Sequence, residues 1–183
     1  MSDISELKAY IQQAHGEAWD DMVDNFEFLV RKSLSIFNRW NPRIDEFRIY
    51  FSTQTYQFST PYPRWCTISS ADSITEKLIW SADKLYEYKQ SIGTLTINSV
   101  GVFMVRAGYN RVLEEVNLDE NEDFVDLVLA HYLIASGQRR RAVRHTDLPY
   151  ENDGDLRIAD GKELLEKTLT ELQDNAPYWA FMM

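Results

Sequence analysis

Asn41-Pro42-Arg43-Ile44-Asp45-Glu46-Phe47-Arg48-Ile49-Tyr50-Phe51 is the stretch in which the chain changes period. Upstream of it, Met22, Phe26, Leu29, Ser33, Phe37 and Trp40 recur in steps of three and four, which predicts a helix over residues 17–40. Pro42 biases Asn41 away from helical backbone, so the helix stops there. Downstream, Phe47, Ile49 and Phe51 alternate with Arg48 and Tyr50, the two-residue period of a strand with one buried face.

On the N-terminal side of this boundary, Leu7, Tyr10, Ile11 and Ala14 share one face of a helix over residues 3–14, closed by Gly16. On the C-terminal side the chain stays extended. Tyr56-Gln57-Phe58 continues it until Pro61 and Pro63 interrupt, and Trp65 to Ser69 and Lys77 to Ser81 read as further strands. Tyr86 and Tyr88 lead into a turn at Gln90-Ser91-Ile92-Gly93. Thr94 to Asn98 alternates, Gly101 permits a turn or bulge, and Val102 to Ala107 forms a strand. Together these predict an antiparallel set of about five short strands.

Helical period returns near Asn121, with Phe124, Leu127, Val128, His131, Tyr132 and Ala135 along one side. Asp119 or Asn121 suits the cap, and Glu122 and Asp123 suit the positive end of the helix dipole. Gly137 weakens this helix without ending it. A polar loop spans Thr146 to Asp155, where Gly154 supplies a positive φ for a turn. The last helix is expected to begin at a capping box, Asp160-Gly161-Lys162-Glu163, to carry Leu164, Leu165, Thr168, Leu169 and Leu172 on its apolar side, and to end at Asn175 and Pro177.

Helices, then strands, then helices is an α+β order, here a helical bundle with an inserted small antiparallel β subdomain. The divisions are N-terminal helices at 1–42, the β subdomain at 43–110, C-terminal helices at 111–175 and an apolar tail at 176–183. At 183 residues and 44% hydrophobic content, the chain has enough material for a sizeable core. No internal repeat is visible.

The balance of 19 Lys+Arg against 29 Asp+Glu gives a formal charge of -10, which repels phosphate and argues against general nucleic-acid binding. A single cysteine, Cys66, cannot form a disulfide within the chain and reads as a small core residue. The N-terminal residues lack the basic and apolar regions of a signal peptide, and no apolar run approaches the roughly 20 residues of a membrane helix. The expected setting is a cytoplasm.

No phosphate loop, dinucleotide fingerprint, nucleophile elbow or paired-histidine zinc motif is present, and the chain reads as a non-enzyme that needs no cofactor and no metal. The acidic run Glu114, Glu115, Asp119, Glu120, Glu122, Asp123 and Asp126 has the carboxylates that a divalent cation wants, but reads first as a solvated loop and helix start. Glu151-Asn152-Asp153-Gly154-Asp155 lacks the distant bidentate Glu of a calcium loop and reads as a turn. His131 reads as a satisfied, partly buried side chain.

Two features point outward. Arg139, Arg140 and Arg141, with Arg144 and His145, form the one basic cluster. It serves the helix dipole, docks on acidic surface of a neighbouring copy, or touches passing DNA. The tail Tyr178-Trp179-Ala180-Phe181-Met182-Met183 is apolar where chain ends are normally polar, so it either folds back on its own core or inserts into a partner. Tyr178, Trp179, Phe181, Met182, Arg139, Arg140, Arg141 and Arg144 are therefore the candidate partner-binding residues.

Several stretches resemble the neck proteins of tailed bacteriophages, of the head-to-tail connector (adaptor) kind, over roughly residues 20–145. They are Tyr56-Gln57-Phe58-Ser59-Thr60-Pro61, Tyr86-Glu87-Tyr88 leading to Gly93-Thr94-Leu95-Thr96-Ile97, and Val105-Arg106 through Leu113-Glu114-Glu115-Val116 to Glu122-Asp123-Phe124-Val125-Asp126-Leu127. The region 70–84 departs from the pattern. The resemblance implies a virion structural protein, assembled in the host cytoplasm, that forms a homo-oligomeric ring. Such a ring joins the portal to tail or neck proteins and lines the DNA channel, touching passing DNA only non-specifically and no membrane. It carries no catalytic residues. A tail or baseplate component, a small cytoplasmic protein-binding module and an enzyme with an unrecognised site are the alternatives.

Overall fold

A computed structural model describes residues 3–15, 25–52, 55–70, 78–79, 86–142 and 154–176. It is an α+β fold, and the chain divides into two compact units: a helical one from residues 1–41 and 111–183, and a β unit from 42–110.

The helical unit contains α1 (Ile4–His15), α2 (Phe26–Trp40), α3 (Glu122–Ala142) and α4 (Gly154–Asp174). Three- and four-residue spacing explains α1, which buries Leu7 and Ile11 completely, and α2, which buries Phe26, Val30, Ser33 and Phe37. Asn41 closes α2 by donating its N–H to the Phe37 carbonyl at 2.7 Å. The expected 17–40 helix is cut back: Asn25, in the left-handed region at φ 81, precedes a helix that begins at Phe26, and residues 16–24 lie outside the described residues. Phe37 packs on Phe124 with ring centroids 5.6 Å apart, and Ser33 meets His131. The numbers run in opposite directions, so α2 and α3 are antiparallel.

The sequence suggests one apolar side for α3, but every residue from Phe124 to Leu133 except Asp126 is buried. It is the central helix of its unit, and a helix covered on all sides has no need of a one-sided pattern. Asn38, itself buried, ties the end of α2 to Arg111, where the chain re-enters the helical unit. Its Nδ2 donates to the Arg111 carbonyl at 3.0 Å, and the Arg111 N–H donates to its Oδ1 at 2.7 Å.

The expected capping box at Asp160 to Glu163 is overturned, because α4 already begins at Gly154 and runs through it. Gly161 is a packing residue: a Cβ there would lie 2.8 Å from the Ala130 carbonyl oxygen and 2.9 Å from Ile134 Cγ1 on α3. A reciprocal contact sits at Gly137 on α3, where a Cβ would lie 2.6 Å from the Gly154 carbonyl oxygen. The same contact corrects the reading of Gly154 as a turn glycine. It is the buried first residue of α4, and residues 146–153 of the expected loop lie outside the described residues.

The β unit contains β1 (Arg43–Ser52), β2 (Thr55–Gln57), β3 (Trp65–Ser70), β4 (Leu78–Ile79), β5 (Tyr86–Lys89), β6 (Thr94–Ile97) and β7 (Val100–Tyr109). β1-β7-β3-β4 form one antiparallel sheet and β2-β6-β5 a second. Among the described residues there are seven strands rather than about five, and β1 and β7 are each ten residues long. The Gly101 break is also overturned. Gly101 lies within β7, paired with Phe51 in an uninterrupted register, and the chain bends at Asn98-Ser99 instead. Phe51, Phe58, Ile68, Leu95, Ile97 and Val105 are the centre of this unit's own core. Gly93 does close a turn, at φ 62, and the Tyr62 ring lies where a Cβ would stand.

Candidate partner-binding surface

Close approach of α3 and α4 places the basic end of α3. Backbone-to-backbone contact at Gly137 and Gly154 brings the last turn of α3 against the first turn of α4. Arg139 and Arg140 are half-buried there and have partners of their own, while Arg141 is exposed and lies 3.5 Å from Asp155 on α4. That pair is solvated, so it contributes less than about 1 kcal/mol. Arg157 of α4 reaches back, donating from Nε to Ser136 Oγ at 2.9 Å and lying over the Tyr132 ring. Of the candidate residues, Arg139, Arg140 and Arg141 are thus brought together on one turn. Arg144, Tyr178, Trp179, Phe181 and Met182 lie outside the described residues.

The opposite end of α3 is acidic. Burial raises the Asp123 carboxyl, and Glu171 of α4 and Glu122 raise it further. Among the described residues no group of three or more His, Cys, Asp and Glu side chains is placed to hold a metal ion.

The two single-residue candidates for chemistry are enclosed. Cys66 is buried in the β core, and loss of hydration pushes its thiol up to about 12, so it is no ready nucleophile at neutral pH. His131 is 4% exposed. Its Nδ1 lies 2.8 Å from the Leu127 carbonyl oxygen and 3.0 Å from Ser33 Oγ, while Ser33 Oγ donates to the Leu29 carbonyl at 2.9 Å. Two acceptors around Nδ1 place the proton there and leave Nε2 as a lone pair. Nε2 is buried without a hydrogen-bond partner among the described residues. Burial, then Lys32, lowers the imidazole below its usual range, with the Leu127 carbonyl opposing.

A feature that the periodicities did not isolate is a groove of about 600 Å³ on the helical unit. Its apolar lining comes from Ile4 of α1, Val30 and Leu34 of α2, and Val112 and Leu113 from the segment before α3, with Asp3, Glu27, Arg31 and Glu114 among its polar residues. Val112 is 52% exposed. The signal for it was present as an apolar Val112-Leu113 pair ahead of Glu114-Glu115, but which helices flank that pair is a tertiary fact.

Among the described residues no helix is long and apolar enough to cross a membrane. Comparison with protein-family models gives no match, and comparison with curated protein sequences gives none either.

Proposed function

We propose that the chain is a structural virion protein of a tailed phage, a neck or head-to-tail connector subunit that assembles into a closed ring between portal and tail. The observation that carries this reading is the polarity of α3, with Glu122 and Asp123 in its first turn and Arg139, Arg140 and Arg141 in its last. Two ends of opposite charge on one rigid helix suit a head-to-tail contact between copies, in which one end meets the other. Heterologous contacts of this kind close into rings when the rotation permits. Arg144 extends the basic end, and the tail residues Tyr178, Trp179, Phe181 and Met182 dock on the portal or on a neighbouring copy. A net charge of -10 fits a ring that lines a DNA channel, since an acidic lumen lets the duplex pass without gripping it.

The test is the mass of the purified protein by native mass spectrometry or light scattering, alone and mixed with its candidate portal. A closed ring, or a fixed stoichiometry on the portal, is expected. A monomer that ignores portal, neck and tail proteins alike refutes the proposal.

A further inference from the structure

The groove beside α1 and α2 and the apolar tail are two independent features of complementary chemistry. Seen from the groove, an occupant needs large apolar side chains to cover Val30, Leu34, Val112 and Leu113. A volume of about 600 Å³ is of the size that encloses a drug-sized ligand or a pair of aromatic side chains. Seen from the tail, Pro177-Tyr178-Trp179-Ala180-Phe181-Met182-Met183 follows the last described residue, Ala176, and contains five large apolar side chains and no charged one. Seven residues reach at most about 25 Å from Ala176. The lining of the groove is unsuited to an acidic occupant, since Asp3, Glu27 and Glu114 outnumber Arg31, which is itself paired to Glu27. An uncharged aromatic segment meets no such repulsion.

We infer that the groove is the receptor for the tail of a second copy of the chain, with Trp179 and Phe181 as its anchors. The inference rests on the ring reading for the choice of a second copy. α4 ends beside Asp123, at the Phe37–Phe124 end of the antiparallel α2–α3 pair, and the groove runs along α2 from Glu27 to Leu34 with its Val112 edge next to Arg111, which is bonded to Asn38. A tail leaving one copy and entering the groove of the next is a heterologous contact, the kind a ring repeats. Aromatic anchors in a largely apolar pocket are the usual centre of such a contact.

The test uses two full-length variants and one peptide. Val112→Asp puts a carboxylate at the groove edge, at a position exposed enough to leave the fold intact. Trp179→Asp with Phe181→Asp spoils the tail and leaves the groove. Phe28→Asp is the control, because Phe28 is 64% exposed on α2 and does not line the groove. A synthetic peptide of residues 175–183 is titrated into the tail variant. It is expected to bind, to lose more than about tenfold in affinity when Val112→Asp is added, and to be indifferent to Phe28→Asp. The tail variant and the Val112→Asp variant, each unable to associate alone, are expected to form a one-to-one complex when mixed, since one retains the groove and the other the tail. No peptide binding, or binding indifferent to Val112→Asp, overturns the groove assignment. Peptide binding without complementation between the two variants shows that each chain fills its own groove, and overturns the second copy. Rings that persist in both variants would leave the ring reading standing and remove this inference.

Discussion

Substituting Gly161 by alanine sets two physical effects against each other, and the structure decides between them. On helix propensity alone, alanine at an interior position gains about 0.8–1 kcal/mol over glycine. Against this, the new Cβ would lie 2.8 Å from the Ala130 carbonyl oxygen, 2.9 Å from Ile134 Cγ1 and 3.0 Å from the Ile134 nitrogen, where ordinary contact begins near 3.4 Å. Two of the three are backbone atoms of a fully packed helix, so α3 and α4 must separate locally by about half an ångström, and the reciprocal contact at Gly137 resists the shift. Overpacking of this kind costs about 1–3 kcal/mol. The upper half of that range applies, which leaves a net loss of about 1–2 kcal/mol for Gly161→Ala. Asp160→Ala is the companion. Asp160 is exposed in mid-helix, so alanine is neutral or a gain of a few tenths of a kcal/mol, whereas loss of a true N-cap costs about 1 kcal/mol. Urea unfolding followed by far-ultraviolet circular dichroism, with equal slopes for wild type and variants, measures both. A stabilised Gly161→Ala together with a destabilised Asp160→Ala would refute the packing of α4 on α3 and restore Asp160 as the start of the helix.

Two further outcomes follow from buried polar groups. His131 is held neutral with its folded value below the unfolded one, so the unfolded chain takes up the proton first. Its contribution to stability is complete above the ordinary imidazole range near 6.5 and is lost as pH falls below it, and His131→Gln should flatten that part of a urea-midpoint profile measured from pH 8 to 5. A wild-type midpoint unchanged between pH 7 and 5.5 would count against the buried, Nδ1-protonated imidazole. Asn38→Ala removes both bonds to the Arg111 main chain and leaves that carbonyl and N–H short of partners, an expected loss of about 2–3 kcal/mol in the same assay. A loss below about 0.5 kcal/mol would show that water replaces the side chain there.

The boundary at Asn41-Pro42 was legible because it rests on local chemistry, a change of period and a proline. So were Leu7 and Ile11 of α1, Phe26, Ser33 and Phe37 of α2, and Leu95 and Ile97 of β6, where one face is covered and the pattern records it. What failed to show has a common cause. Asp160-Gly161-Lys162-Glu163 has the composition of a helix start, yet its glycine is needed for contact with another helix 31 residues earlier in sequence, at Ala130. Local composition cannot separate a glycine that ends a helix from one that admits a neighbour. Gly101 failed in the same way, because its place opposite Phe51 is set by strand pairing. α3 looked one-sided because charged and small residues interrupt its pattern, while its enclosure depends on helices from both ends of the chain. The groove is built from three separate segments, and only one of its edges, Val112-Leu113, stands out in sequence.

The basic end of α3 supports a contact beyond its own helix on an argument of sufficiency. A cation in the last turn interacts with the helix dipole by about 0.3–1 kcal/mol, and the effect fades within that turn and is screened by salt. One or two arginines satisfy it. Here three stand in succession at Arg139, Arg140 and Arg141, with Arg144 beyond, in a chain whose net charge is -10. Arg139 and Arg140 are half-buried with partners of their own, and the pair that Arg141 makes with Asp155 is exposed and contributes little. Arg141, exposed and weakly held, is therefore open to a carboxylate from outside. In the proposed ring such a carboxylate would come from the first turn of α3 on another copy, where Glu122 and Asp123 stand.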